Sequence, residues 1–123
     1  MEQPIVDLGF LYELSANEPG YIFDVINLFM EVMPEGLNKL EAIAKTTDDF
    51  DAIHKQAHYL KSSAAIIKIS GMYDDLAKIV SLSRENRGKE EIIERVDHIL
   101  GNFKEAEPLI LAERAKCDAA RKK

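Results

Sequence analysis

Three side chains in the middle of the chain have the types and the spacing for phosphate chemistry: His58, Lys61 and Ser62. A neutral imidazole nitrogen is a nucleophile near neutral pH, because the ordinary pKa of histidine is about 6.5. On a helix, Lys61 would lie about one turn from His58 and its ammonium would counter the charge of a phosphate. Ser62 could donate a hydrogen bond to a phosphoryl oxygen. Since phosphoryl transfer depends on in-line access and charge neutralisation, this spacing indicates a site that handles phosphate.

These residues belong to a segment, 48–69, that predicts a long amphipathic helix. At about 100° per residue, His58 lies roughly 150° from the centre of the apolar face. Lys61, Ser62 and the small residue Ala65 lie near His58, so the helix buries one side and exposes the imidazole on the other. The apolar face recurs at steps of three and four residues and consists of Phe50, Ile53, Ala57, Leu60, Ala64 and Ile67.

The rest of the sequence also predicts helices, at 7–15, 18–45, 71–85 and 89–116. The segment 18–45 contains a proline and is interpreted as one bent helix, with two stacked helices as the alternative. Short connections between long amphipathic helices favour an antiparallel up-down arrangement. The predicted fold class is therefore all-α, an antiparallel up-down four-helix bundle with a short extra N-terminal helix.

The domain boundary is predicted near the end of the last helix. Residues 1–116 are expected to form the bundle, and residues 117–123 a charged tail that frays. Gly71 is expected to end the central helix in a left-handed conformation. With 123 residues, the chain is long enough for one domain with a real core.

Charge and cysteine content narrow the function classes. The net charge of −6 argues against a nucleic-acid surface and against binding to acidic membranes. No apolar run approaches 18 residues, so no transmembrane helix is predicted, and no signal pattern begins the sequence. With a single cysteine, a reducing cytoplasm is the expected location, and a monomer is the expected state.

The segment His58-Tyr59-Leu60-Lys61-Ser62-Ser63-Ala64-Ala65 resembles the phosphoacceptor motif H-x-L-K-G-S-S of histidine-containing phosphotransfer (HPt) domains. The resemblance extends to the short first helix, the turn at 17–19, the Leu28-Phe29 pair that comes before Pro34, and the helix after the motif. It implies a four-helix bundle with an exposed histidine. Two departures stand out: Ser62 replaces the usual glycine, and no glutamine follows Gln56 to contact the imidazole.

The resemblance implies that His58 accepts a phosphoryl group from a receiver-domain aspartate and passes it to another. Lys61 would be the phosphate-side lysine. The partners would be receiver domains of response regulators and hybrid sensor kinases, and any Mg2+ would belong to the receiver, so no cofactor is expected here. The sequence contains no nucleotide-binding or kinase motif, so we expect a phosphocarrier without kinase activity of its own.

A surface for the partner is expected around His54, Ala65, Ile66 and Ile69. For Ile66 and Ile69, the alternative is that the first or fourth helix packs against them and they do not contact a partner. An interaction module that binds receivers or kinases without transferring phosphate is the alternative function.

The remaining histidines suggest little further chemistry. His54 and His58 have a spacing that can hold zinc, but the sequence shows no adjacent glutamate and no third ligand. No metal site is therefore predicted, and a metal-binding helical bundle is the third of the three functional hypotheses. His98 is expected to be an exposed residue.

Overall fold

The computed structural model describes residues 5–122, and in that part of the chain five helices carry most of the structure. They are α1 (Gly9–Leu14), α2 (Pro19–Thr46), α3 (Phe50–Ile66), α4 (Met72–Arg84) and α5 (Lys89–Arg121). Two short strands, β1 (Val6–Asp7) and β2 (Lys68–Ile69), pair antiparallel. With 82% of the residues helical, the all-α class is confirmed. None of these helices is long and apolar enough to cross a membrane.

The segment with an internal proline is one helix, α2, as predicted. Pro19 lies in its first turn, where the missing N–H costs no helix hydrogen bond. Pro34 lies inside the helix, and the helix continues past it to Thr46. The alternative of two stacked helices is therefore wrong.

Helix α3 begins at a capped end and buries the predicted face. The Asp49 side chain accepts a hydrogen bond of 3.0 Å from the backbone N–H of Ala52, which satisfies one of the free donors of the first turn. Of the predicted apolar face, Phe50 is half-buried and the rest is buried: Ile53, Ala57, Leu60, Ala64 and Ile67.

Helix α3 ends three residues before the predicted position. Lys68 and Ile69 leave the helix and pair with β1, and Ser70 donates a backbone hydrogen bond of 2.8 Å to the Ile5 carbonyl. Gly71 has the left-handed conformation that the sequence suggests (φ 72°), but it precedes the first turn of α4 and does not end α3. The sequence did not reveal this pairing, because two residues are too few to produce an alternating pattern.

Each of the four long helices packs mainly against two others, in the order α2, α3, α4, α5 and back to α2. The arrangement is bundle-like, with a core of aliphatic side chains at its centre. Helices α2 and α3 approach closely at Gly36, where an added Cβ would lie 2.5 Å from Leu60 Cδ2. Gln56 Nε2 donates a 3.0 Å hydrogen bond to the Gly36 carbonyl and joins the two helices there.

The last helix extends beyond residue 116 into the segment for which a frayed tail is predicted. Helix α5 continues to Arg121, and Cys117 is only 3% exposed. The Arg121 guanidinium lies 4.2 Å from the ring centre of Phe23. Hydrogen bonds from Lys122 and Arg121 lower the pKa of Asp118 below its ordinary value. Residues 1–4 and 123 lie outside the described residues.

Candidate functional site

The imidazole of His58 is exposed on the outer face of α3. Ala57, directly before His58, and Leu60, two residues after it, lie on the buried side of α3 and have no exposed surface. The core therefore anchors the helix from behind, while the ring stays in solvent. The predicted exposure of His58 agrees with this position.

His54 lies one turn before His58 and is half-buried. Its Nδ1 is 3.3 Å from the Val80 carbonyl oxygen of α4, and a hydrogen bond there requires the proton on Nδ1. The rings of His54 and His58 lie 6.1 Å apart between centroids with an angle of 21° between their planes. His54 therefore packs beside His58 and contacts α4, which limits its own exposure to a partner.

Lys61 lies one turn after His58 and is also half-buried. Its Nζ is 5.3 Å from the ring centre of Tyr73, the second residue of α4. That distance lies within the range of a cation–π interaction. The predicted phosphate-side ammonium is thus held at the junction of α3 and α4.

These two contacts fix how α3 and α4 lie against each other. His54 and Lys61 are seven residues apart on α3, and their partners Val80 and Tyr73 are seven residues apart on α4 in the reverse order. This antiparallel register places His58 level with Leu76, whose side chain is buried, and Ala77 is the next residue, on the face of α4 that Tyr73 and Val80 share. Because the side chain of alanine is a single methyl group, α4 leaves the imidazole uncovered.

Ser62 is exposed, but its hydroxyl already has a partner. Ser62 Oγ donates a 3.2 Å hydrogen bond to the Tyr59 carbonyl within α3. In this conformation the hydroxyl can accept a hydrogen bond, and it must rotate before it can donate one to a phosphoryl oxygen.

The predicted partner surface is only partly present. Ala65 and Ile66 are half-buried, and Ile66 packs against the core. Ile69 is 3% exposed, so it follows the packing alternative and is not available to a partner in this structure. An open cleft of about 620 Å³ lies at this end of α3, with Ala65 and Tyr73 in its lining.

The site lies in the part of the chain that is free of acidic residues. Between Ala52 and Tyr73 the sequence contains three lysines, two histidines and no aspartate or glutamate, although the whole chain has a net charge of −6. Within α3, Lys55 pairs with Asp51, and Lys61 keeps its positive charge near His58, which favours an anionic group there.

Sequence reasoning missed a second cluster, centred on Asp75. The Asp75 side chain is 8% exposed, and its carboxylate lies 2.9 Å from Arg95 Nη1 and 2.5 Å from His98 Nδ1. On the same face of α5, Asn102 donates a 2.9 Å hydrogen bond to the Ser70 carbonyl. The spacing of Arg95, His98 and Asn102 by three and four residues was the available signal. This cluster ties the start of α4 to α5.

Within residues 5–122, no group of three or more histidine, cysteine or acidic side chains is arranged to hold a metal ion. Comparisons with protein-family models, curated proteins and solved structures give no significant match for this chain. The site itself offers an open imidazole, an anchored ammonium and small neighbouring side chains. Such a site can act as a nucleophile towards a small anionic electrophile.

Proposed function

We propose that this protein relays a phosphoryl group between receiver-domain aspartates in a multistep two-component phosphorelay, with His58 as the phosphoacceptor. It would be a member of the HPt family, and its helices would form an antiparallel four-helix bundle with a short extra N-terminal helix. The observation that carries the proposal is the exposed imidazole of His58 on the outer face of α3, which α4 leaves uncovered where it carries the small residue Ala77.

The reaction needs little from this chain beyond access and charge. A lone pair on a neutral ring nitrogen of His58 attacks the phosphorus of an aspartyl phosphate. The bond from phosphorus to the carboxylate oxygen breaks, the carboxylate leaves with the bonding electrons, and an N–P bond forms. Transfer to the next receiver is the reverse exchange, from the ring nitrogen to a new aspartate.

Two neighbours support the phosphoryl group. The ammonium of Lys61 balances its negative charge, and the hydroxyl of Ser62 rotates away from the Tyr59 carbonyl to donate to an oxygen. The Mg2+ and the aspartates belong to the receiver domains of response regulators and hybrid sensor kinases. The chain is a carrier that is consumed and regenerated in the cytoplasm, without kinase activity of its own.

The direct test is labelling by receiver domains charged with radioactive acetyl phosphate. Wild-type protein should acquire acid-labile, alkali-stable phosphate, and His58→Ala should lose it completely. The other two histidines provide matched controls: His54→Ala and His98→Ala should keep the label. Label that persists in His58→Ala would place the acceptor elsewhere.

The same experiment distinguishes the alternative function. A non-catalytic module would bind the charged receivers, for example in a pull-down, and would leave His58 without phosphate. Binding without label in the wild type, across receivers that label a known phosphotransfer protein, would favour that alternative and overturn the relay.

A further inference from the structure

Tyr73 belongs to α4 and contacts the site without belonging to the helix that carries His58. Its ring is 44% exposed, and it lies 5.3 Å below the ammonium of Lys61. Lysine has the freest side chain of any residue, with several rotatable bonds to the ammonium. A contact at the tip of that chain therefore restricts where its charge can be.

The nature of the contact matters as much as its position. Most lysines with a side-chain partner in residues 5–122 pair with carboxylates; these are Lys45, Lys55, Lys89, Lys116 and Lys122. Within the same residues, Lys61 contacts an aromatic ring and no carboxylate. A ring attracts the ammonium through its quadrupole and adds no negative charge, so the full positive charge remains for an incoming anion.

We infer that Tyr73 is a positioning residue of the phosphotransfer site, which holds the ammonium of Lys61 beside His58 without neutralising it. The inference rests on the function proposed for His58. Tyr73 acts through Lys61 and not on the phosphoryl group, and α4 thereby contributes to a reaction that the sequence assigns to α3 alone.

The exposed position of Tyr73 allows substitutions that separate the possible roles of its side chain. Tyr73→Phe keeps the ring and should transfer phosphate within about twofold of the wild-type rate. Tyr73→Leu removes the ring and should be slower by about two- to fivefold. Tyr73→Glu would anchor the ammonium and also cancel its charge, so it should be the slowest. Tyr21→Leu, an exposed tyrosine on α2, is the matched control and should leave the rate unchanged.

The kinetic parameter that changes in Tyr73→Leu distinguishes a positioning role of Tyr73 from a role in docking the receiver. Lys61 acts on the phosphoryl group during transfer, so Tyr73→Leu should lower the maximal rate at saturating charged receiver. A loss confined to receiver affinity would mean that Tyr73 is a docking contact. In a Lys61→Ala background, Tyr73→Leu should have no further effect, and an undiminished effect there would also overturn the inference.

An NMR measurement that does not depend on phosphotransfer tests the contact between Tyr73 and Lys61 separately from the role of His58. In proton–carbon NMR spectra, the Lys61 side-chain methylenes should show a ring-current shift in the wild type and in Tyr73→Phe, and lose it in Tyr73→Leu. Unchanged Lys61 signals in Tyr73→Leu would overturn the anchoring. If the wild type is never labelled, the proposed function fails while the NMR result still decides whether Tyr73 holds Lys61.

Discussion

The carboxylate of Asp75 is enclosed by α4 and α5 and contacts two basic side chains of α5. Its side chain is 8% exposed, whereas those of Arg95 and His98 are 34% and 59% exposed. A buried carboxylate is costly unless charged or hydrogen-bonding groups surround it. The pair of contacts therefore stabilises the fold chiefly by satisfying Asp75, since Arg95 and His98 retain access to water.

Removal of Asp75 should destabilise the protein more than removal of an exposed acid. Asp75→Ala leaves both basic partners without their carboxylate and should lower the free energy of unfolding by about 1–3 kcal/mol. Urea denaturation followed by circular dichroism measures this. Asp97→Ala is the matched control, because Asp97 is 55% exposed and pairs only with Lys45 among the described residues, so it should cost less than about 1 kcal/mol. Equal losses would show that the buried cluster contributes nothing special.

For single residues, the sequence predicts whether a side chain lies on the buried or the exposed face of its own helix. It does not predict contacts between side chains of different helices. The exposure of His58 follows from the 3.6-residue period of its own segment, so it could be predicted. The contact between His98 and Asp75 joins residues 23 positions apart on different helices, and no local pattern encodes it. The hydrogen bond of Ser62 within α3 depends on a rotamer, which the sequence does not specify either.

The pairing of α3 with α4 determines whether His58 is accessible. The contacts of His54 with Val80 and of Lys61 with Tyr73 set a register in which the buried Leu76 is level with His58, and the small side chain of Ala77 follows it on the face shared with Tyr73. Access to His58 therefore depends on two helices, although the proposed chemistry belongs to one residue.

A large side chain at position 77 should block the site from the neighbouring helix. Ala77→Phe would place a ring on the face of α4 that carries Tyr73, one residue from the level of His58, and should slow phosphoryl transfer by about tenfold or more, because in-line access is lost. The measurement is the labelling rate by a charged receiver, with circular dichroism to verify the helices. Ala42→Phe, at an exposed position of α2, is the matched control and should transfer normally. Wild-type labelling of Ala77→Phe would mean that Ala77 does not face His58.

The order, type and most ends of the long elements could be predicted, but the C-terminal ends of α3 and α5 could not. Helices α2 to α5 follow from apolar periodicity and from capping and turn residues. Helix α3 ends at Ile66 because the next residues form a strand with β1, a partner more than 60 positions away. Such long-range pairing overrides the local helical pattern of Ile67 and Ile69.

Both ends of the described chain meet on one side of the molecule. The Tyr12 hydroxyl on α1 hydrogen-bonds the Glu113 carboxylate of α5 and lies 3.8 Å from Cys117 Sγ. Burial, and then the hydrogen bond to Glu113, raise the pKa of Tyr12 well above its ordinary value. Arg121 covers the ring of Phe23 at the start of α2. The last turns of α5 therefore hold α1 and α2 in place.

The charge pattern alone predicts a frayed tail for residues 117–123, because the apolar residues of this segment are only two alanines and one cysteine. In the structure, residues 117–121 are helical and make tertiary contacts: Cys117 is buried, and Arg121 lies over an aromatic ring. Contacts of this kind, between ends of the chain, are absent from any local window of sequence.

Truncation of the chain after Lys116 distinguishes the two descriptions of this segment. Loss of the buried Cys117 and of the Arg121–Phe23 contact should lower the free energy of unfolding by about 1–3 kcal/mol, measured by thermal and urea denaturation. Truncation after Arg121 removes only Lys122 and Lys123 and should leave the stability unchanged within about 0.5 kcal/mol. Labelling of His58 should persist in the folded fraction of both, because the site is formed by α3 and α4. Unchanged stability after the longer truncation would mean that the last turns of α5 fray in solution, as the charge pattern predicts.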